Sequence, residues 1–165
     1  MLFSPPQTRV EGTNRLSMAP VSKTHTPCKF SLLFQSSPLA VRHALGEMME
    51  HIRAQSISEK SIGLFELVLA EALNNVVEHA YEGHETGDIS LSVVIWNGSL
   101  ICNIKDSGKP MPKLSLPIPT QKDLNVSLEG LPEGGWGWMM IRELSDSITY
   151  KRKRDQNHLS FRLLV

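Results

Sequence analysis

Cysteine is scarce in this 165-residue chain, which has only Cys28 and Cys102. Two isolated thiols in unlike contexts make neither a disulfide framework nor a cysteine-ligated metal site. A charge excess of either sign is also missing, since 17 Lys and Arg balance 17 Asp and Glu. A protein that grips duplex nucleic acid through its phosphates carries a basic excess or stripe. The balance therefore argues against direct nucleic-acid binding. The one basic run, Lys151-Arg152-Lys153-Arg154, reads as a solvated turn between strands. No stretch approaches the ~18 consecutive apolar residues of a membrane span. The first residues show neither the basic start nor the apolar centre of a signal peptide. No membrane partner is expected, and the cytoplasm is the expected compartment. What is present, at 41% hydrophobic residues, suits one globular domain with a buried core.

Residues 1–28 are rich in Ser, Thr, Pro and isolated charges without an apolar period, and read as a disordered tail. Met18 within it is an alternative start to Met1. Order is expected over residues 29–165, beginning with a strand at Phe30-Ser31-Leu32-Leu33-Phe34. Ser36-Ser37-Pro38 supplies a hydroxyl cap and a proline suited to a first helical turn. The helix it opens carries Leu39, Val41, Leu45, Met48, Met49 and Ile52 at helical spacing. A second helix starts near Ser58 and runs to about Tyr81, with Ile62, Phe65, Leu69, Ala72, Val76 and Ala80 as one apolar stripe.

Two alternating strands follow, Ile89, Leu91, Val93 and Ile95 facing one way and Ser90 and Ser92 the other. Asn97-Gly98 is a hairpin signal, because both residues tolerate positive φ. The second strand sends Leu100, Cys102 and Ile104 to the core and then Asp106 on that same face. An acid in register with core residues is a local anomaly. Residues 107–135 are mostly Pro, Gly, Lys and Ser with scattered Leu, and a loop of that length is expected to be a lid. Residues 136–144 read as a short helix, and 148–150 with 159–165 as a closing hairpin. The order β, α, α, β, β, lid, α, β, β predicts an α+β fold, a two-layer sandwich of mostly antiparallel sheet on helices.

Glu71, Asn75 and His79 stand four apart and share one helix face. A bare row of that kind is more often a solvated surface. Chemically, however, Asn75 offers a neutral oxygen to Mg²⁺, which takes few protein ligands. Glu71, one turn away, is placed to orient or deprotonate a nucleophile. Asp106-Ser107-Gly108 gives an acceptor for an exocyclic amine such as adenine's, beside a glycine that permits close backbone approach. Alone, the same tripeptide makes a plain turn. Gly134-Gly135-Trp136-Gly137 opens a helix, where backbone N–H groups converge on phosphate.

In that order the motifs resemble those of the anti-sigma-factor serine/threonine kinases, within the superfamily of gyrase, heat-shock-ninety, histidine-kinase and mismatch-repair ATPases. Residues 71–81, EALNNVVEHAY, look like the N-box. Asp106-Ser107-Gly108-Lys109-Pro110 resembles the first glycine box, and Gly134 to Gly137 with the helix after it the second. Tyr150-x-Arg152 followed by Asn157-x-Leu159 resembles the usual C-terminal end. The resemblance covers residues 29–165.

It implies the histidine-kinase-like ATP-binding (Bergerat) fold, ATP and Mg²⁺ as cofactors, and transfer of phosphate to a serine or threonine. Asn75 is then on Mg²⁺ and Glu71 at the catalytic-base position. Asp106 and Gly108 are at adenine, and Gly134, Gly135 and Gly137 at the phosphates. His79 matches a position that often holds histidine. A small antagonist protein is the implied substrate, a sigma factor a further partner, and a homodimer one open quaternary state. Pro110 replaces a glycine found in many of these ATPases and stiffens the lid hinge. The lid has no arginine, so Lys113 and Lys122 are its candidates for the γ-phosphate. The alternatives are an ATP-gated binding module with little catalysis, and the catalytic domain of a two-component histidine kinase. The latter is disfavoured because no dimerising helical hairpin precedes the domain in this sequence.

Overall fold

A computed structural model describes residues 26–83, 87–117 and 136–165. The expected tail up to residue 25, and the expected lid from residue 118 to 135, lie outside those residues.

Strand β1, Cys28–Gln35, comes first. Helix α1, Pro38–Arg53, opens as its sequence suggests: Ser37 stays extended and its Oγ accepts the Ala40 N–H, with proline in the first turn. Its buried stripe is Val41, Ala44, Met48, Met49 and Ile52. Leu39 does not belong to it and is 63% exposed. Two residues before Val41 is more than half a helical turn away, so the first turn aims Leu39 outward.

Helix α2, Glu59–Asn75, is capped by Ser58. The sequence pattern predicts an α-helix to about Tyr81, yet the α-helix ends at Asn75. Residues Val76–Ala80 form a π-helical segment, closed by the Tyr81 N–H on the Val76 carbonyl at 3.2 Å. The wider turn places Val76 and Val77 together in the core. Single π turns inside helices recur at functional sites.

Strands β2, Asp88–Trp96, and β3, Ser99–Asp106, form the expected hairpin. Asn97 and Gly98 turn it with φ of 46° and 67°. Helix α3, Trp136–Leu144, and strands β4, Ser147–Lys153, and β5, Gln156–Leu164, complete the chain. The sheet order is β1-β2-β3-β5-β4, antiparallel throughout. This is the two-layer α+β sandwich.

The inner sheet face and the helices share one core, in which Phe65 of α2 meets Phe161 of β5 at 6.0 Å between ring centroids. Truncating either ring to alanine costs about 3–5 kcal/mol by the usual scale. The opposite sheet face is polar, and one row across it reads Ser31, Ser92, Asn103, Ser160, Thr149. Cys102 is fully buried and its thiol is pushed well up by that burial, as befits a small core residue.

The basic run is not a solvated turn. Lys151, Arg152 and Lys153 lie in β4, and the turn is Arg154-Asp155, with φ of 47° and 62°. Strand alternation sends Lys151 and Lys153 outward, whereas Arg152 is half-buried on the side of Tyr150.

Candidate functional site

Where α2 passes into its π segment, its polar face and the ends of β3 and β5 enclose a cavity of about 790 Å³. Glu71, Asn75 and His79 line one wall, Asp106 and Asn157 the other, and Gly137 at the start of α3 closes an end. The structure thus brings together five of the residues assigned site roles from the sequence, Glu71, Asn75, His79, Asp106 and Gly137. Gly134 and Gly135 lie outside the described residues.

Asn75 is oriented by its own helix. Its Nδ2 donates to the Glu71 carbonyl at 2.8 Å. A carbonyl only accepts, so the amide must turn its nitrogen there. Oδ1 then has no protein donor among the described residues, on a side chain that lines the cavity. Glu71 is half-buried on the same wall, one turn back. His79 is exposed at the rim.

Asp106 is 5% exposed. Its Oδ1 accepts the Gly108 N–H at 2.9 Å and Asn157 Nδ2 at 2.7 Å. Oδ2 is left without a protein donor among the described residues. Burial pushes the Asp106 carboxyl above its ordinary value. The bonds from Asn157 and Gly108, and the charges of Arg152 and His158, hold that rise back.

Gly108 shapes this wall without lining the cavity. A β-carbon on it would stand 2.6 Å from the Ala80 carbonyl oxygen. The loop is stitched to the π segment at that point, with the Lys109 N–H on the same carbonyl at 2.8 Å. Lys109 also pairs with Glu82. Tyr81 clamps the other side, accepting the Ser107 N–H at 3.0 Å and donating to the Asp88 carbonyl at 3.1 Å. Burial raises the Tyr81 phenol above its usual value, which suits a donor that keeps its proton.

Tyr150, Arg152 and Asn157, which the sequence offers as a C-terminal motif without a role at the site, stand behind Asp106. Asp106, Asn157 and Arg152 are register partners across β3, β5 and β4. Asn157, 4% exposed, accepts at Oδ1 from the Tyr150 hydroxyl and from Arg152, both at 2.7 Å. Its Nδ2 donates to Asp106 and to the Lys109 carbonyl at 3.0 Å. Tyr150 in turn accepts the Met111 N–H at 3.0 Å, and Arg152 donates to the Gly108 carbonyl at 3.0 Å. The available signal is the spacing of Tyr150 and Arg152, which strand alternation puts on one face.

Lys113 lines no part of the cavity wall and takes φ of 56° in a short 3₁₀ turn, Pro112–Leu114. Lys122 lies outside the described residues. Arg142 of α3 grips the Pro117 carbonyl with two N–H groups at 3.2 and 3.1 Å.

Residues 34–163 match the family model described as the histidine kinase-like ATPase domain. Serine-protein kinase RsbW of Listeria monocytogenes serovar 1/2a is 28% identical over 97 residues, 55% of this chain and 59% of that protein. Serine/threonine-protein kinase BtrW of Bordetella bronchiseptica is 30% identical over 93 residues, 54% of this chain and 61% of that one. The aligned part therefore spans less than two thirds of these curated relatives. The crystal structure of the RsbU and RsbW domains of Rv1364c from Mycobacterium tuberculosis superposes with a TM-score of 0.58 at 14% identity. That overlay covers 83% of this chain and 32% of the other, and it speaks for the fold alone. With the family match running from the end of β1 nearly to the end of β5, and across every described residue of the cavity wall, this chain belongs to the histidine kinase-like ATPase domain family.

Proposed function

We propose that the chain is a Mg²⁺-ATP-dependent serine/threonine protein kinase of the anti-sigma-factor type, a cytoplasmic switch that phosphorylates a small antagonist protein and sequesters a sigma factor. The carrying observation is that Glu71 and Asn75 stand one helical turn apart on the cavity wall, with Gly137 of α3 against Glu71. Relatives named as serine and serine/threonine kinases support the reading.

The residues fit the groups they would hold. Asn75 Oδ1 is a neutral oxygen already turned from its own helix, and Mg²⁺ needs only one or two such ligands beside phosphate and water. A Mg²⁺ ion held there by Asn75 would supply positive charge to offset the charge that develops on the transferred phosphoryl group. Asp106 Oδ2 accepts the exocyclic amine of adenine, and the Gly108 backbone keeps that wall close. Gly137 stands in the first turn of α3, where backbone N–H groups favour phosphate, and the motif assigns Gly134 and Gly135 the same role.

Glu71 accepts the proton of the acceptor hydroxyl as its oxygen bonds to the γ-phosphorus. The bond from that phosphorus to the bridging oxygen breaks, and ADP leaves with its electron pair. Positioning carries most of such a reaction. Among the described residues, no helix is long and apolar enough to cross a membrane.

The test mixes the purified chain with the protein that co-purifies with it and γ-labelled ATP, then identifies the labelled amino acid. Phosphoserine or phosphothreonine on the partner is expected. Tight ATP binding without transfer to any partner would leave an ATP-gated binding module. Acid-labile label on histidine would point to the two-component alternative.

A further inference from the structure

We infer that Asn157 sets the purine selectivity of the cavity: by bonding Asp106 Oδ1 it holds the carboxylate as an acceptor only, so that a purine with an exocyclic amine is taken and its keto counterpart is rejected. The inference rests on the reading of Asp106 as the base contact.

Asp106 has two oxygens, and the described residues donate to only one. Oδ1 receives the Asn157 amide at 2.7 Å and the Gly108 N–H at 2.9 Å. A proton on Oδ1 would be opposed by both donors. Any proton must therefore sit on Oδ2, the oxygen that meets the base. An ionised Oδ2 accepts from an amine and repels a keto oxygen. A protonated Oδ2 donates to the keto oxygen and loses the amine. Selectivity thus depends on what keeps Asp106 ionised despite its burial, and the Asn157 bond is first among the influences that oppose the desolvation.

Among the described residues, the other charged and titratable groups facing Asp106 are few. Arg152 on β4 and His158 on β5 favour the ionised form. Tyr81, after the π segment, bonds the neighbouring Ser107 N–H through its own oxygen and keeps its proton. Lys109 is paired with Glu82 at the rim. Asn157 cannot turn over to present an acceptor instead. Its Oδ1 is claimed by Tyr150 and Arg152, both at 2.7 Å, and its Nδ2 by the Lys109 carbonyl as well. The amide orientation is fixed by chemistry at both ends.

The experiment measures ATP and ITP affinity for the full chain by calorimetry from neutral pH downward. These nucleotides differ only along one base edge, at the exocyclic group and the N1 proton, and share their phosphate titration, so their ratio isolates the base contact. The wild type should prefer ATP by roughly 10- to 100-fold near neutral pH, the scale of one charged hydrogen bond. As pH falls ATP should weaken while ITP strengthens. Asn157→Ala should move that crossing to higher pH and shrink the neutral-pH preference several-fold. Asn157→Ser, which returns one hydroxyl donor to Asp106, should restore most of it.

An unchanged ratio and profile in a folded Asn157→Ala overturns the inference, as does a parallel loss of both nucleotides in the Ala and Ser variants. Should Asn157→Ala fail to fold, the wild-type pH series still decides, and parallel slopes for ATP and ITP overturn it. ATP binding without purine preference defeats this inference alone, whereas no ATP binding at all defeats the reading of the cavity with it.

Discussion

Gly137 and Glu71 touch so closely that a β-carbon on the glycine would overlap the Glu71 Oε2. The same β-carbon would stand 3.7 Å from Asn75 Nδ2. The first turn of α3 is therefore seated against the two side chains proposed for the base and the metal ligand. What Gly137 meets is the far end of a flexible side chain and an amide, with no backbone in the way. Gly137→Ala should then move the Glu71 carboxylate at little cost to the fold. Stability should change by no more than about 0.5 kcal/mol. Phosphoryl transfer should fall by roughly 10-fold or more, because small misplacements of reacting groups are costly. Thermal unfolding beside initial transfer rates separates the two, and unchanged transfer in a folded variant would count against the placement.

Gly108 makes the opposite prediction. Its added β-carbon would meet backbone, at 2.6 Å from the Ala80 oxygen and 2.8 Å from the Ala80 carbonyl carbon. The Lys109 N–H bond to that carbonyl would be disturbed with it. Gly108→Ala should cost about 1–3 kcal/mol, the usual range for overpacking, and weaken ATP and ADP alike. Urea unfolding and calorimetry check this, and full stability with full affinity would show that the loop is looser than its contacts indicate.

The base contact proposed for Asp106 sets stability against binding. Burial raises its carboxyl above the ordinary 3.8, so the folded chain holds that proton more tightly than the unfolded chain does. Its share of stability consequently rises as pH falls through the raised native value, and the gain is complete once pH is below 3.8. At neutral pH the ionised group is a liability. Asp106→Asn keeps an oxygen for the Gly108 and Asn157 donors but loses the charged acceptor. It should stabilise the chain by roughly 0.5–2 kcal/mol, typical of relieving a functional strain, while weakening both ATP and ADP. Denaturant unfolding at pH 7 beside nucleotide titration tests it. A less stable variant, or one that binds nucleotide normally, would sink the assignment.

Much of this site is legible in the amino-acid sequence itself. Asp106 stands out because strand alternation places an acid among Leu100, Cys102 and Ile104, and it is indeed buried there. Ser37 and Ser58 announce both helix starts through capping chemistry. What the sequence hides depends on contacts between segments distant along the chain. Arg152 sits inside a run of like charges and looks solvated, yet β4 and β5 pair so that it reaches Asn157 and the Gly108 carbonyl. The π turn is hidden because Val76 and Val77 fit an α-helical period too. Leu39 misleads in the other direction, since a lone leucine in a first turn carries no phase.

Asn75 yields a prediction about metal dependence. Its Nδ2 is held by the Glu71 carbonyl at 2.8 Å, so the side chain contributes an oxygen at a fixed place. Asn75→Ala should bring ATP affinity in the presence of Mg²⁺ down to its metal-free level. Calorimetry with Mg²⁺ and with a chelator reads the difference directly, and a retained Mg²⁺ effect would remove Asn75 from the metal.

The central claim is that Glu71 acts in phosphoryl transfer and not in holding the nucleotide. Its most direct measurement sets Glu71→Gln beside the wild type, with Mg²⁺-ATP affinity and the rate of label transfer to the co-purifying partner taken on the same preparations. The amide keeps the shape of the side chain against Gly137 but cannot accept the hydroxyl proton as a carboxylate does. The account predicts affinity within about two-fold of wild type and transfer lowered by roughly 10²-fold or more, the scale of general-base catalysis. Transfer at the wild-type rate, or a loss of rate matched by an equal loss of binding, would contradict it.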